Sequence, residues 1–81
     1  MMDIFTTFLV DEGRCETKDG DNRKIDMPEG LPSDIRCIVY SPEDGWWMEL
    51  HDFDGRRTVP QEFRDHLIAE FDLNKKWGME E

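Results

Sequence analysis

Basic residues are scarce in this chain. Ten Lys and Arg face twenty Asp and Glu, a formal net charge of -10 on 81 residues. Duplex affinity comes largely from cations that neutralise phosphates and release counterions. The balance therefore weighs against direct nucleic-acid binding, and against an anionic membrane surface for the same reason. No apolar run approaches the roughly 20 residues of a membrane span. Met1-Met2-Asp3-Ile4 carries neither the basic nor the apolar part of a secretory leader. A cytoplasmic, non-membrane protein is expected.

Cysteine is equally sparse. Cys15 and Cys37 are the only two, and nothing signals an oxidising compartment, so free buried thiols are expected. With His51 and His66 they are the only soft metal ligands, and no C-x₂-C or H-x₃-H pair occurs, so no metal or cofactor is expected. Asp19-Gly20-Asp21-Asn22 and Asp52-Phe53-Asp54-Gly55 start like calcium loops. Arg23-Lys24 and Arg56-Arg57 then fall where oxygen ligands belong, and hairpin turns explain both segments. There is no Gly-rich phosphate loop, no G-x-S-x-G elbow and no local Cys–His motif. A non-enzymatic protein is expected.

What is present suffices for one small domain over 1–81. Hydrophobic residues are 37% of the chain and mean hydropathy is -0.77, so the core is small. Three Trp, five Phe and one Tyr argue against disorder, because large rings bury much area per residue. Ile4–Val10, Arg14–Lys18 and Arg23–Met27 read as strands separated by Asp-Glu-Gly and Asp-Gly-Asp-Asn turns. Ile35–Tyr40, the longest strand Trp46–Phe53 and Arg56–Val59 read as a meander, with Asp54-Gly55 as its second turn. Thr58 to Leu73 reads as the one substantial helix, opened by a Thr58/Gln61 capping box with Pro60 in the first turn. Phe63, Leu67, Ile68 and Phe71 form its apolar stripe. Asn74 and Lys75-Lys76 suit its end, with Trp77 in a short tail. The fold class is α+β: an antiparallel sheet of four to five strands packed against one C-terminal helix. Trp46, Met48 and Leu50 take the core face. Trp47, Glu49, His51 and Phe53 take the other, which is either covered by the N-terminal hairpin or left open.

The charge pattern is the one functional signal. From residue 37 to 55 there is no Lys or Arg, while Glu43, Asp44, Glu49, Asp52 and Asp54 share the interval with Tyr40, Trp46, Trp47 and Phe53. Helical Glu62, Asp65 and Asp72 add a carboxylate row, whose i, i+3 neighbours lie about 5–6 Å apart, comparable with successive phosphates. A positive groove built for nucleic acid attracts any polyanion of matching shape. An exposed Trp47 or Phe53 would anchor such a contact.

In length, acidity, lack of a catalytic motif and α+β pattern, the chain resembles the small acidic inhibitors made by phages and mobile elements. Anti-CRISPR proteins and DNA-mimic inhibitors of restriction enzymes are among them. Ile25 to Arg36 with Gly45 to Glu49 is also similar to a segment of small phage tail-associated proteins, in which an LP-x-D-I stretch precedes a strand, a turn and a G-x-x-E strand. The chain departs from that pattern at Trp46-Trp47. The first resemblance implies a DNA mimic that binds the nucleic-acid site of a host defence complex, a CRISPR effector first of all, and acts as a monomer or small homo-oligomer. The second implies a virion or tail assembly protein. An immunity protein or antitoxin for a basic nuclease has the same electrostatics.

Overall fold

The computed structural model describes residues 3–73. Six strands form one antiparallel sheet: β1 (Thr6–Leu9), β2 (Arg14–Thr17), β3 (Asn22–Lys24), β4 (Ile35–Ser41), β5 (Gly45–Leu50) and β6 (Phe53–Arg57). One helix, α1 (Gln61–Leu73), follows. The fold is α+β as expected. The sheet exceeds four to five strands because both edge strands, β3 and β6, join it.

Strand order is β3-β2-β1-β4-β5-β6. Two meanders of three strands are joined along their first strands, β1 against β4, with Thr6 opposite Tyr40 and Phe8 opposite Ile38. Of the two placements open to the N-terminal hairpin, covering the second face of the sheet is not the one adopted. The hairpin instead extends the sheet edgewise, because Thr7 and Leu9 face Val39 and Cys37 across a ladder.

Alternation then sorts the side chains. Phe8, Cys15, Ile38, Met48 and Leu50 point to the helix side and form the main core with Val59, Phe63, Leu67 and Phe71. The helical stripe is seated as the 3.6-residue period requires: Leu67 is 0% exposed, which contributes about 1.5–3 kcal/mol. Trp46 lies on this face as expected, stacked on Phe8 at 5.8 Å. The segment between β3 and β4 closes the core with Ile25, and Asp26 is tied to α1 by His66 Nε2 against its carbonyl (2.7 Å) and by its N–H to Glu70 (3.4 Å). Arg23 reaches the same helix from β3. Its Nη1 donates to the Phe71 carbonyl at 2.7 Å, and its guanidinium lies 3.8 Å over the Phe71 ring.

Three local expectations are corrected. The longest strand is β4, not Trp46–Phe53, because the chain turns at His51-Asp52 and Leu50 pairs with Phe53. His51 N–H is bound by the Asp34 carbonyl at 2.8 Å, which fixes the reversal there. Asp54-Gly55 is then part of β6, beside a register irregularity opposite Met48–Leu50, and Gly55 does not adopt positive φ. The helix begins at Gln61 rather than Thr58. The Gln61 side chain donates through Nε2 to Asp65 (2.8 Å) and accepts at Oε1 from Arg64 (2.7 Å) instead of closing a capping box. Expectations for Asn74, Lys75, Lys76 and Trp77 lie outside the described residues. Among the described residues, no helix is long and apolar enough to cross a membrane.

Candidate functional site

The face of the sheet away from α1 has no second layer among the described residues. Alternation places Thr7, Leu9, Arg14, Glu16, Cys37, Val39, Trp47 and Glu49 on it, as the cross-strand pairs require. Its centre is a small buried cluster of Cys37, Val39 and Trp47.

Trp47 does not stand out from this face. It is 7% exposed. The Arg56 guanidinium lies 3.7 Å over its ring, Phe5 meets it edge-on at 6.4 Å, and its Nε1 donates to Glu49 at 3.0 Å. The expectation of an exposed Trp47 anchor is thereby corrected: Arg56 of β6, the strand beside β5, covers the indole. The backbone of Phe53 lies in β6, and its side chain falls outside the described set. The exposed aromatic on this side is Phe5, at 37%. Sequence reasoning missed it. The available signal was parity, since Phe5 shares a side with Thr7 once β1 starts at Thr6.

The acids of the 37–55 interval do not form one patch. Glu43 and Asp44 sit exposed in the β4–β5 turn, and Asp52 and Asp54 sit exposed at the β5–β6 end. The six residues of β5 separate the two groups by about 20 Å at roughly 3.3 Å per residue. The first group is held by Ser41, whose buried Oγ accepts from Glu43 N–H (3.2 Å) and Asp44 N–H (3.3 Å). Gly45 closes that turn at φ +82°, a left-handed conformation that glycine adopts without strain. At the other end, Asp11 comes within 3.8 Å of His51, adding a carboxylate from the turn after β1.

Glu49 is spoken for within the chain. Arg36 holds it at 2.6 Å, and the Trp47 N–H with that guanidinium keeps its carboxyl below the usual carboxylate range. The interval that lacks Lys and Arg in sequence is thus not without them in space, because Arg36 and Arg56, which bracket it, fold back onto it. Arg56 also stands 3.9 Å from Asp44. Glu62, Asp65 and Asp72 are exposed along the outer side of α1. Sheet and helix lie between this row and the open face, so one flat partner cannot cover both.

Arg14 is likewise engaged, bridging Glu12 (2.7 Å) and Glu16 (2.6 Å) and donating to Asn22. Arg23 faces Asp21 at 3.4 Å. The thiols are free and sit on opposite sides of the sheet, Cys15 in the main core and Cys37 in the small cluster. Burial pushes the Cys15 thiol up to about 11. Burial, then the Glu49 charge, raises Cys37. Both are therefore held as neutral thiols, the poor nucleophile. His51 faces Asp11 and His66 faces the Asp26 carbonyl. Among the described residues, no three His, Cys, Asp or Glu side chains converge as metal ligands.

Compared with protein-family models, curated proteins and solved structures, the chain matches none of them.

Proposed function

We propose that the protein is a non-enzymatic acidic inhibitor that docks on the positive nucleic-acid site of a host defence complex, a CRISPR effector subunit first of all, and blocks its binding to target DNA. One observation carries the reading: cations are matched by carboxylates within the chain, and the excess of acids is left on the surface. Arg14, Arg23, Arg36 and Arg56 each face a carboxylate of the same chain. The net charge of -10 is therefore presented by carboxylates at both ends of the sheet and along α1. A groove evolved for phosphates meets such a surface with favourable long-range attraction and fast association.

The test is competition. A guide-loaded effector binds a fluorescent target duplex, the protein is titrated in, and anisotropy reports the duplex that remains bound. Displacement is expected, weakening as salt rises because exposed charges are screened beyond about 10 Å at 0.1 M. Reversal of Glu43, Asp44 and Asp54 to Lys should abolish it. Full duplex binding at saturating protein, across effectors of each type tested, refutes the reading.

A further inference from the structure

We infer that the contact of this docking protein with its target is anchored at Phe5, in a groove that takes a basic peptide segment carrying an aliphatic or aromatic side chain between Lys or Arg residues; this rests on the reading of the chain as a ligand for a basic partner. Phe5 is the large apolar side chain left exposed among the described residues. It cannot sink inward, because Trp47 occupies the space beneath it, with ring planes at 69°. Its backbone is fixed, since its carbonyl accepts from Lys18 N–H at 3.0 Å.

Two hollows meet at this ring. One of about 330 Å³ runs past Ile4, Ser41 and Pro42 toward the β4–β5 turn. The other, about 270 Å³, runs along Thr7 and Thr17. Lys18 and Phe5 line both. The first lies just inside and the second just below the lower end of the roughly 300–1,000 Å³ typical of ligand sites, so together they offer room for a short segment and not for a folded domain. The floor sets the Phe5 ring, Ile4 and Pro42 among threonine and serine hydroxyls, and the rim carries Asp19 and Glu43, with Glu16 already paired to Arg14, against Lys18. Charge complementarity selects the occupant. A second copy of this chain brings the same acids and a net charge of -10, which sets like against like. A segment with cations beside one apolar side chain satisfies both floor and rim. Desolvated aromatic contacts of this kind dominate interface energies, with charged rims setting register and rate.

The full chain, labelled with ¹⁵N, is titrated with the synthetic peptide Lys-Leu-Lys-Lys-Leu-Lys and separately with Glu-Leu-Glu-Glu-Leu-Glu, amide shifts being followed by NMR. Expected are saturable shifts at Phe5, Thr7, Lys18 and Ser41 with the basic peptide alone. Phe5→Ala should weaken this binding at least tenfold while keeping the dispersed spectrum of the folded chain, since the ring is solvent-exposed. Phe5→Leu should restore most of it, and Asp19→Lys with Glu43→Lys should weaken it independently of the ring. The inference is overturned by shifts confined to Glu62, Asp65 and Asp72, by equal binding of the acidic peptide, or by undiminished binding to Phe5→Ala. Concentration-dependent shifts at Phe5 without peptide overturn it in favour of a second copy. Phe5→Ala that displaces duplex from an effector as well as the parent chain overturns this inference alone, whereas a parent chain that displaces nothing overturns the inhibitor reading.

Discussion

Arg23 ties the edge strand β3 to the helix, and replacing it with Met isolates what its charge contributes. The side chain is 12% exposed. Its Nη1 donates to the Phe71 carbonyl in the last turn of α1, and the guanidinium covers the Phe71 ring. A hydrogen bond from a charged donor contributes about 1.5–3 kcal/mol. The cation over the ring contributes about 0.5–2 kcal/mol, and a cation near a helix C-terminus about 0.3–1 kcal/mol. These terms overlap, and Met keeps part of the apolar cover, so Arg23→Met should cost about 2–3 kcal/mol. At about 4–8 °C per kcal/mol for a domain of this size, Tm should fall by about 10–20 °C. Urea unfolding followed by far-UV circular dichroism measures the loss directly. The pair is largely shielded from solvent, so the loss should persist in about 0.5 M NaCl, where exposed pairs are screened. Arg23→Lys should recover only part, because an ammonium cannot stack as a plane. A loss below about 0.5 kcal/mol, the range of ordinary surface substitutions, would show that the contact does not hold α1 to β3.

Alkaline pH offers a second check. The unfolded Cys15 thiol ionises near 9.0 and the folded one near 11, so stability is complete below the first value and drains away up to the second. At about 1.4 kcal/mol per pH unit the loss is about 3 kcal/mol. Cys15→Ala should reduce that slope, leaving the share of the raised Cys37 thiol, and an unchanged slope between pH 9 and 11 in urea titrations refutes the assignment. In acid the sign reverses for Glu49, whose folded carboxyl lies below the ordinary 4.5. Its contribution is present above that value and is lost as pH falls through the folded one, so the stability gap between the parent chain and Glu49→Gln should close on acidification. A gap independent of pH would count against the Trp47 and Arg36 contacts. Leu67→Ala, at the centre of the helical stripe, should cost about 2–5 kcal/mol by calorimetry, and a smaller loss would mean the cavity collapses.

Much of the fold is legible because two periods are clean. Phe63, Leu67 and Phe71 recur at helical spacing, and all three are buried. Trp46, Met48 and Leu50 alternate, and all belong to the core side. Boundaries failed where a distant group outweighs a local signal. Asp54-Gly55 is the stronger turn dipeptide, yet the Asp34 carbonyl places the reversal at His51-Asp52. The candidate site was least legible. Trp47 has the composition of an anchor, and only the three-dimensional return of Arg56 covers it. The run without Lys or Arg suggested one acidic patch, and the direction of β5 splits it between two ends. Phe5 gives no sign in composition, since its exposure depends on what Trp47 already fills.

The pairing of β1 with β4 also sets how the chain folds. Within each meander, strands that pair are neighbours in sequence, and such hairpins form in about 1–10 μs. Thr6 and Tyr40 pair across a long stretch of chain, and closing that stretch costs entropy before any contact repays it. The two meanders should thus form early as separate units, with their joining as the slow step. Substitutions at Phe8 and Ile38, which face each other across the seam, should slow folding, while those in the outer strands chiefly hasten unfolding.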